Sequence, residues 1–350
     1  MVRKKNEKLR SSKGLFSDMN FVRLLTILIV VVVALGFLTE GKFVKMRVFT
    51  QMGYLFPEYG VMAVAIMLAM ITGGIDLSQV GIANLSSIAG AMVFLKVMPQ
   101  ELLEQGGGNG YIFLAVLAAL ATGVACGFLN GVLISKVGIP PILTTLGSQQ
   151  LFIGLGKVIT GGPAVSGFPD MLIEIGSYKL FNVIPLPMIV FFTVIAIFSF
   201  IMNKTSYGTK LYMMGSNKKA AEFSGIKASS ITLKTYVICG VLASIAGILI
   251  MAKTNSAKPD YGTSFTLQVI LISVLGGVNP NGGFGKISGI VLAILILQSL
   301  STGLSMLKIP SSVLGLIWGG ALIIIMIVNF TLNGMENKRR IKELSYSSQK

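Results

Sequence analysis

Residues 71–81 read Ile-Thr-Gly-Gly-Ile-Asp-Leu-Ser-Gln-Val-Gly, and residues 273–289 read Ser-Val-Leu-Gly-Gly-Val-Asn-Pro-Asn-Gly-Gly-Phe-Gly-Lys-Ile-Ser-Gly. Each sets a glycine pair (Gly73 and Gly74; Gly276 and Gly277) and a helix-capping polar residue (Asp76; Asn279) between long apolar runs. That is how a membrane helix is interrupted at depth. Lipid cannot partner the amides and carbonyls that a break releases, so such backbone must face protein or a watery cavity. Both segments are therefore candidates for a solute path, with the four glycines giving the backbone freedom to bend. Their likeness suggests a weak duplication, although the spacings downstream diverge.

The runs around them decide the fold class. The chain has 350 residues, of which 53% are hydrophobic and 12% charged, and its mean hydropathy is +0.80. About 20 apolar residues cross a bilayer. Reading between charges gives ten candidate spans: 21–38, 59–75, 77–95, 111–135, 137–156, 180–203, 235–252, 261–285, 287–307 and 309–335. The expectation is an all-α polytopic membrane protein with a basic tail (1–20), a transmembrane domain (21–335) and a second short tail (336–350). The segments 39–58 and 160–179 read as external connections, the second as an ordered loop rather than helix.

A net charge of +16 would suggest nucleic acid in a soluble protein, but its distribution argues otherwise. With the N-terminus in the cytoplasm and ten crossings, most Lys and Arg fall inside. They cluster at Arg3 to Lys13, at Lys204, Lys210, Lys218, Lys219, Lys227 and Lys234, and at Lys338 to Lys350. The carboxylates of Glu40, Glu58, Glu101, Glu104, Asp170, Glu174 and Asp260 fall outside. This is the positive-inside pattern with both termini cytoplasmic. Lys42, Lys45 and Arg47 are a local exception. A cleaved leader ending near Ala34 and Gly36 is the competing reading of residues 1–38; the long basic region and the orientation of the later spans favour a retained first span.

Several chemistries are ruled out. No histidine occurs, which removes imidazole catalysis and imidazole metal sites. Gly156-Lys157 and Gly285-Lys286 lack the rest of a phosphate loop, so the chain has no ATPase motif of its own. Cys126 and Cys239 stand alone in mid-span and read as packing residues. No metal or cofactor is expected, and no enzyme activity.

The polar residues left inside the spans carry the remaining signal. Asp76 is the one carboxylate expected within the membrane. It reads as a cap for a helix from Leu77 onward, helped by Ser78, or as a solute contact. A single carboxylate makes a weak ion relay. Asn84, Asn130, Gln149, Gln150, Gln268 and Gln298 tie helices together or line a wet path, and amides suit a neutral, hydroxyl-rich solute. Asn329 belongs to the same group. In the connection 203–234, Asn217 to Ile226 begins on a capping Asn and stops at Gly225, which predicts a short amphipathic helix or an ordinary solvated hairpin.

Gly-Gly-Ile-Asp-Leu-Ser (73–78), Asn130-Gly131, Gly215 to Ile226, Cys239 to Gly247, Leu275-Gly-Gly277 and Gly282 to Lys286 occur in an order that resembles the permease of bacterial ABC importers of the ribose, galactoside and xylose class, over residues 58–330. The resemblance implies a pair of permease copies or paralogues, a cytoplasmic ABC ATPase and an extracellular solute-binding protein, in a bacterial cell membrane. It makes Gly215, Asn217, Lys218, Lys219, Ala220, Ala221, Glu222, Ser224, Gly225 and Ile226 the coupling element. A monosaccharide is the expected solute, with autoinducer-2 or a nucleoside as alternatives. An ion-coupled secondary carrier and a membrane-embedded enzyme are the readings from other classes. Two departures lie near the path: Gln79 is inserted after Ser78, and Phe265 to Val269 stands where sugar permeases usually carry an acidic string.

Overall fold

The computed structural model describes residues 19–99, 101–102, 109–310, 313–324 and 327. Residues 1–18 and 328–350, which include Asn329, most of the N-terminal tail, the whole C-terminal tail and both terminal basic clusters, lie outside the described residues. The described chain is almost wholly helical. Its main helices are α1 (Met19–Leu38), α2 (Met46–Ile71), α3 (Gln79–Met92), α4 (Asn109–Val132), α5 (Pro141–Thr160), α6 (Asp170–Ser177), α7 (Leu186–Lys204), α8 (Ser206–Ser216), α9 (Lys218–Phe223), α10 (Ala228–Thr254), α11 (Phe265–Leu275), α12 (Ile287–Met306) and α13 (Val313–Ile324). The last turns of α3 and α4 widen into π geometry over 93–97 and 133–137. Two short antiparallel pairs, Val165↔Ala257 with Ser166↔Ser256 and Lys179↔Pro185 with Leu180↔Ile184, staple the connections.

Among the described residues, seven helices are long and apolar enough to cross a membrane: α1, α2, α3 with its π turn, α4, α7, α10 and α12. α5 is equally long but more polar, and α11 and α13 are shorter apolar helices. Each of the ten predicted spans overlaps one of these helices.

α2 is the centre of the bundle. Every residue from Phe56 to Ile71 is buried, against α7, α10, α11 and α12. α1 is the opposite case: it is more apolar but turns Ile29, Val30, Val33 and Phe37 outward, as a lipid-facing helix does. Small residues let the inner helices approach. A Cβ on Gly240 of α10 would run into the Gly123 carbonyl of α4, and one on Gly247 into the Ala83 carbonyl of α3. Close backbone contact of this kind replaces the hydrophobic driving force that lipid removes.

Three expectations need correction. α2 begins at Met46, so most of 39–58 is helix. Charges taken as boundaries put the start of the predicted span at 59, yet Glu58 is buried inside α2 and paired with Lys253 of α10. The segment 160–179 is not all loop. Pro169 starts α6 and Asp170 sits in its first turn, where the helix dipole favours an acid. Leu172 and Gly176, four residues apart, put one face of α6 against α10. Finally, Asn279 caps no helix: its Oδ1 accepts from the Asn281 amide (3.0 Å) inside a loop that lasts until α12 begins.

Candidate functional site

At the first break, α2 ends on Ile71 and the chain turns on Gly73, at φ +83°. Asp76 follows, fully buried. Its Oδ1 accepts from the Ser78 amide (3.0 Å) and hydroxyl (2.6 Å), and its Oδ2 from Gln79 Nε2 (2.6 Å). α3 therefore starts at Gln79, two residues later than expected, and the inserted Gln79 is a partner of the carboxylate. Asn130 of α4 donates to Ser78 Oγ (2.8 Å), and Thr145 of α5 donates to the Ile75 carbonyl (3.1 Å). A turn carrying a charge is thus tied to two neighbouring helices. The carboxylate bonds are charge-assisted, the stronger kind.

The remaining amides gather elsewhere, around residues 258–268 where the chain enters α11. Asn84 donates to the carbonyls of Pro259 (3.0 Å) and Tyr261 (2.9 Å), and Gln149 to Thr266 Oγ1 (3.4 Å). Gln298 accepts from the Tyr59 hydroxyl and donates to Thr302 Oγ1 (2.7 Å). The Tyr59 ring in turn packs on Phe265. Gln268 is buried in the same helix. Beside them Lys253 Nζ lies 2.8 Å from both carboxylate oxygens of Glu58. The residues predicted as one path therefore form two polar clusters. Asp76 and Asn130 lie by the first break, and Asn84, Gln149, Gln268 and Gln298 lie round the start of α11. Gln150 joins neither; it is exposed on the outer face of α5. Glu58 and Lys253 were missed, because nothing local in the sequence marks a pair separated by 195 residues.

The two breaks meet. The Gly283 amide donates to the Ile71 carbonyl (2.9 Å), closing the second loop onto the end of α2. Gly215, at the end of α8, lies against both, since a Cβ there would strike the Ile71 carbonyl and the Gly283 amide. Tyr212 of α8 adds a bond to the Gly285 carbonyl (2.6 Å). Only one glycine of each pair is left-handed: Gly73, and Gly277 at φ +84°. Gly74 and Gly276 have ordinary backbone and are small for contact, Gly74 against the Tyr236 hydroxyl and Gly276 against the backbone of Gly289. Backbone freedom at all four glycines was expected, and it holds for two.

α9 follows directly. Asn217 Oδ1 accepts from the Ala220 amide (3.0 Å) at its start. At its end Gly225, at φ +81°, donates to the Glu222 carbonyl (2.9 Å), and Ile226 donates to that of Ala221 (3.1 Å). This is the paired bonding of a Schellman stop. Ala221 is buried, whereas Lys218, Lys219, Ala220, Glu222 and Ser224 are exposed, and Phe223 is 92% exposed. Phe223 was absent from the predicted site. The signal available was an aromatic residue among the polar positions of a capped helix.

A bundle of helices long and apolar enough to cross a membrane, with polar clusters inside, defines a multi-pass membrane protein. The family model described as branched-chain amino acid transport system / permease component matches residues 48–328, and the chain belongs to that family, as a permease subunit of the ABC sugar-importer class. Similar proteins include the autoinducer 2 import system permease protein LsrD of Photorhabdus temperata, 31% identical over 280 residues, covering 78% of this chain and 80% of that one. LsrD of Yersinia enterocolitica is 28% identical over 274 residues, covering 77% and 79%. No solved structure matches the chain.

Proposed function

We propose that this chain is the conducting half of a bacterial inner-membrane importer that crosses the membrane ten times with both termini in the cytoplasm. It moves a small, neutral, hydroxyl-rich solute. A monosaccharide fits the polar clusters; the relatives' names put autoinducer-2 beside it as the first compound to test. ATP is hydrolysed by a separate cytoplasmic subunit that docks on α9.

The geometry of α9 carries this reading. It is a short helix fixed at both ends, with Phe223 projecting and Lys218 and Lys219 alongside, and it hangs from the point where both breaks meet. An exposed aromatic flanked by charge is the pattern of an interface anchor. A push on α9 reaches Gly215 within a few residues and, through it, both breaks. Two further surfaces suit the other partners. Gln150 lies with Gly147 and Gly154 on an exposed apolar face of α5. An amide in hydrocarbon needs a partner, which a second permease copy would supply. At the end of α2 far from α9, Arg47, Tyr54 and Lys179 line a groove open to an acidic surface of a binding protein.

The test is to express the chain with its ATPase and binding protein and measure co-purification and vesicle uptake of labelled ribose, xylose, galactose and autoinducer-2. Phe223→Ala and Gly225→Pro should abolish ATPase retention and uptake while leaving the permease folded. Full retention and uptake in both variants would sink the coupling role. Uptake driven by an ion gradient without the ATPase would move the chain to the class of secondary carriers.

A further inference from the structure

A cavity of about 380 Å³ opens beside the first break, outside both polar clusters. Its walls include Thr72, Gly73 and Gly74 of the break, Ser135 and Pro141 at the α4–α5 connection, and Tyr236 of α10. Lys218 and Glu222 of α9 also line it. The size falls in the range of roughly 300–1,000 Å³ typical of small-molecule sites. Two polar atoms of this lining, Tyr236 Oη and Ser135 Oγ, are buried and have no hydrogen-bond partner. Tyr236 is 1% exposed. Buried hydroxyls are nearly always partnered, so two orphans in one wall call for an explanation.

Gly74 supplies part of it. The Tyr236 hydroxyl lies 2.6 Å from where a Gly74 Cβ would stand, so the missing side chain of the break is what leaves it room. Hydroxyls both donate and accept, so the pair suits hydroxyl groups of a neutral solute rather than an ion.

We propose that Tyr236 and Ser135 form a polar subsite for a hydroxyl-bearing solute in the vestibule next to α9, the last station before release. The idea rests on the importer reading above and adds what that reading lacks: a named contact on the inward side. Because Lys218 and Glu222 line the same cavity, an ATPase docked on α9 touches the wall of the subsite. Release of solute and movement of the docking helix are then one event.

The test uses the assembled permease, ATPase and binding protein. Tyr236→Phe and Ser135→Ala should each lower uptake of the transported compound about fivefold to tenfold, with ATPase retention and ATP hydrolysis unchanged. Ser135→Cys should react with a membrane-impermeant maleimide from the cytoplasmic side of inside-out vesicles. Its rate should change at least threefold between the ATP-free state and the state trapped with ATP and vanadate, and 10 mM ribose or autoinducer-2 should slow it. Unchanged uptake in both hydroxyl variants overturns the proposal. So does labelling that is indifferent to both nucleotide and solute. If the wild-type assembly takes up none of the compounds, the solute assignment above fails, and the nucleotide dependence of labelling alone decides for or against the subsite. Loss of ATPase retention only in Phe223→Ala would confirm the coupling reading separately.

Discussion

The first and second breaks share a spelling and differ in construction. After Gly73-Gly74 the chain re-enters helix within a few residues, held by a buried carboxylate with three bonds. After Gly276-Gly277 it runs through a longer turn without a carboxylate, with Gly282 and Gly283 left-handed and the Asn279 side chain bonded to its own loop. The turning glycine is the first of one pair and the second of the other. Each pair is one residue for the turn and one for close contact, in opposite order. One break is thus fixed by a buried carboxylate and side-chain bonds to α4 and α5, the other by backbone fit against the first and a Tyr212 bond from α8.

The largest expected effect comes from removing what the two breaks share. Gly215→Val places a branched side chain where the Ile71 carbonyl and Gly283 amide already lie. A rigid backbone clash of this kind costs about 3 kcal/mol or more, and the variant should fail to give a monodisperse peak in detergent. If it folds normally, the breaks are not in contact. The next test separates them. Asp76→Asn should destabilise by about 2–3 kcal/mol, because it weakens charge-assisted bonds at a buried site, whereas Asn279→Ala should cost about 1 kcal/mol or less. Thermal unfolding in matched detergent would read both, and equal effects would erase the distinction drawn above. The smallest effect is also the most specific. Gly74→Ala should lose about 1–2 kcal/mol by pressing on the Tyr236 hydroxyl, and Tyr236→Phe should restore most of it. Additive losses would mean that Gly74 is small for some other reason.

Local chemistry was legible in the sequence and distant pairing was not. Asn217 and Gly225 fix the ends of α9 through bonds to residues three to five positions away, and their identities announce this. Long apolar runs located the helices for the same reason. Glu58 misled because its partner Lys253 is far along the chain, so a charge that belongs inside a helix looked like an end. Gly74 and Gly276 misled because a glycine needed for space has the same letter as one needed for a turn. Gln79 shows the reverse: an apparent insertion into the motif was absorbed as a third hold on Asp76.

The Glu58–Lys253 pair has a mechanical corollary. If α2 slipped along α10 by one helical pitch, roughly 5.4 Å, the two charges would part and leave the buried Glu58 carboxylate without its partner. This ion pair therefore acts as a pin that resists sliding of α2 along α10.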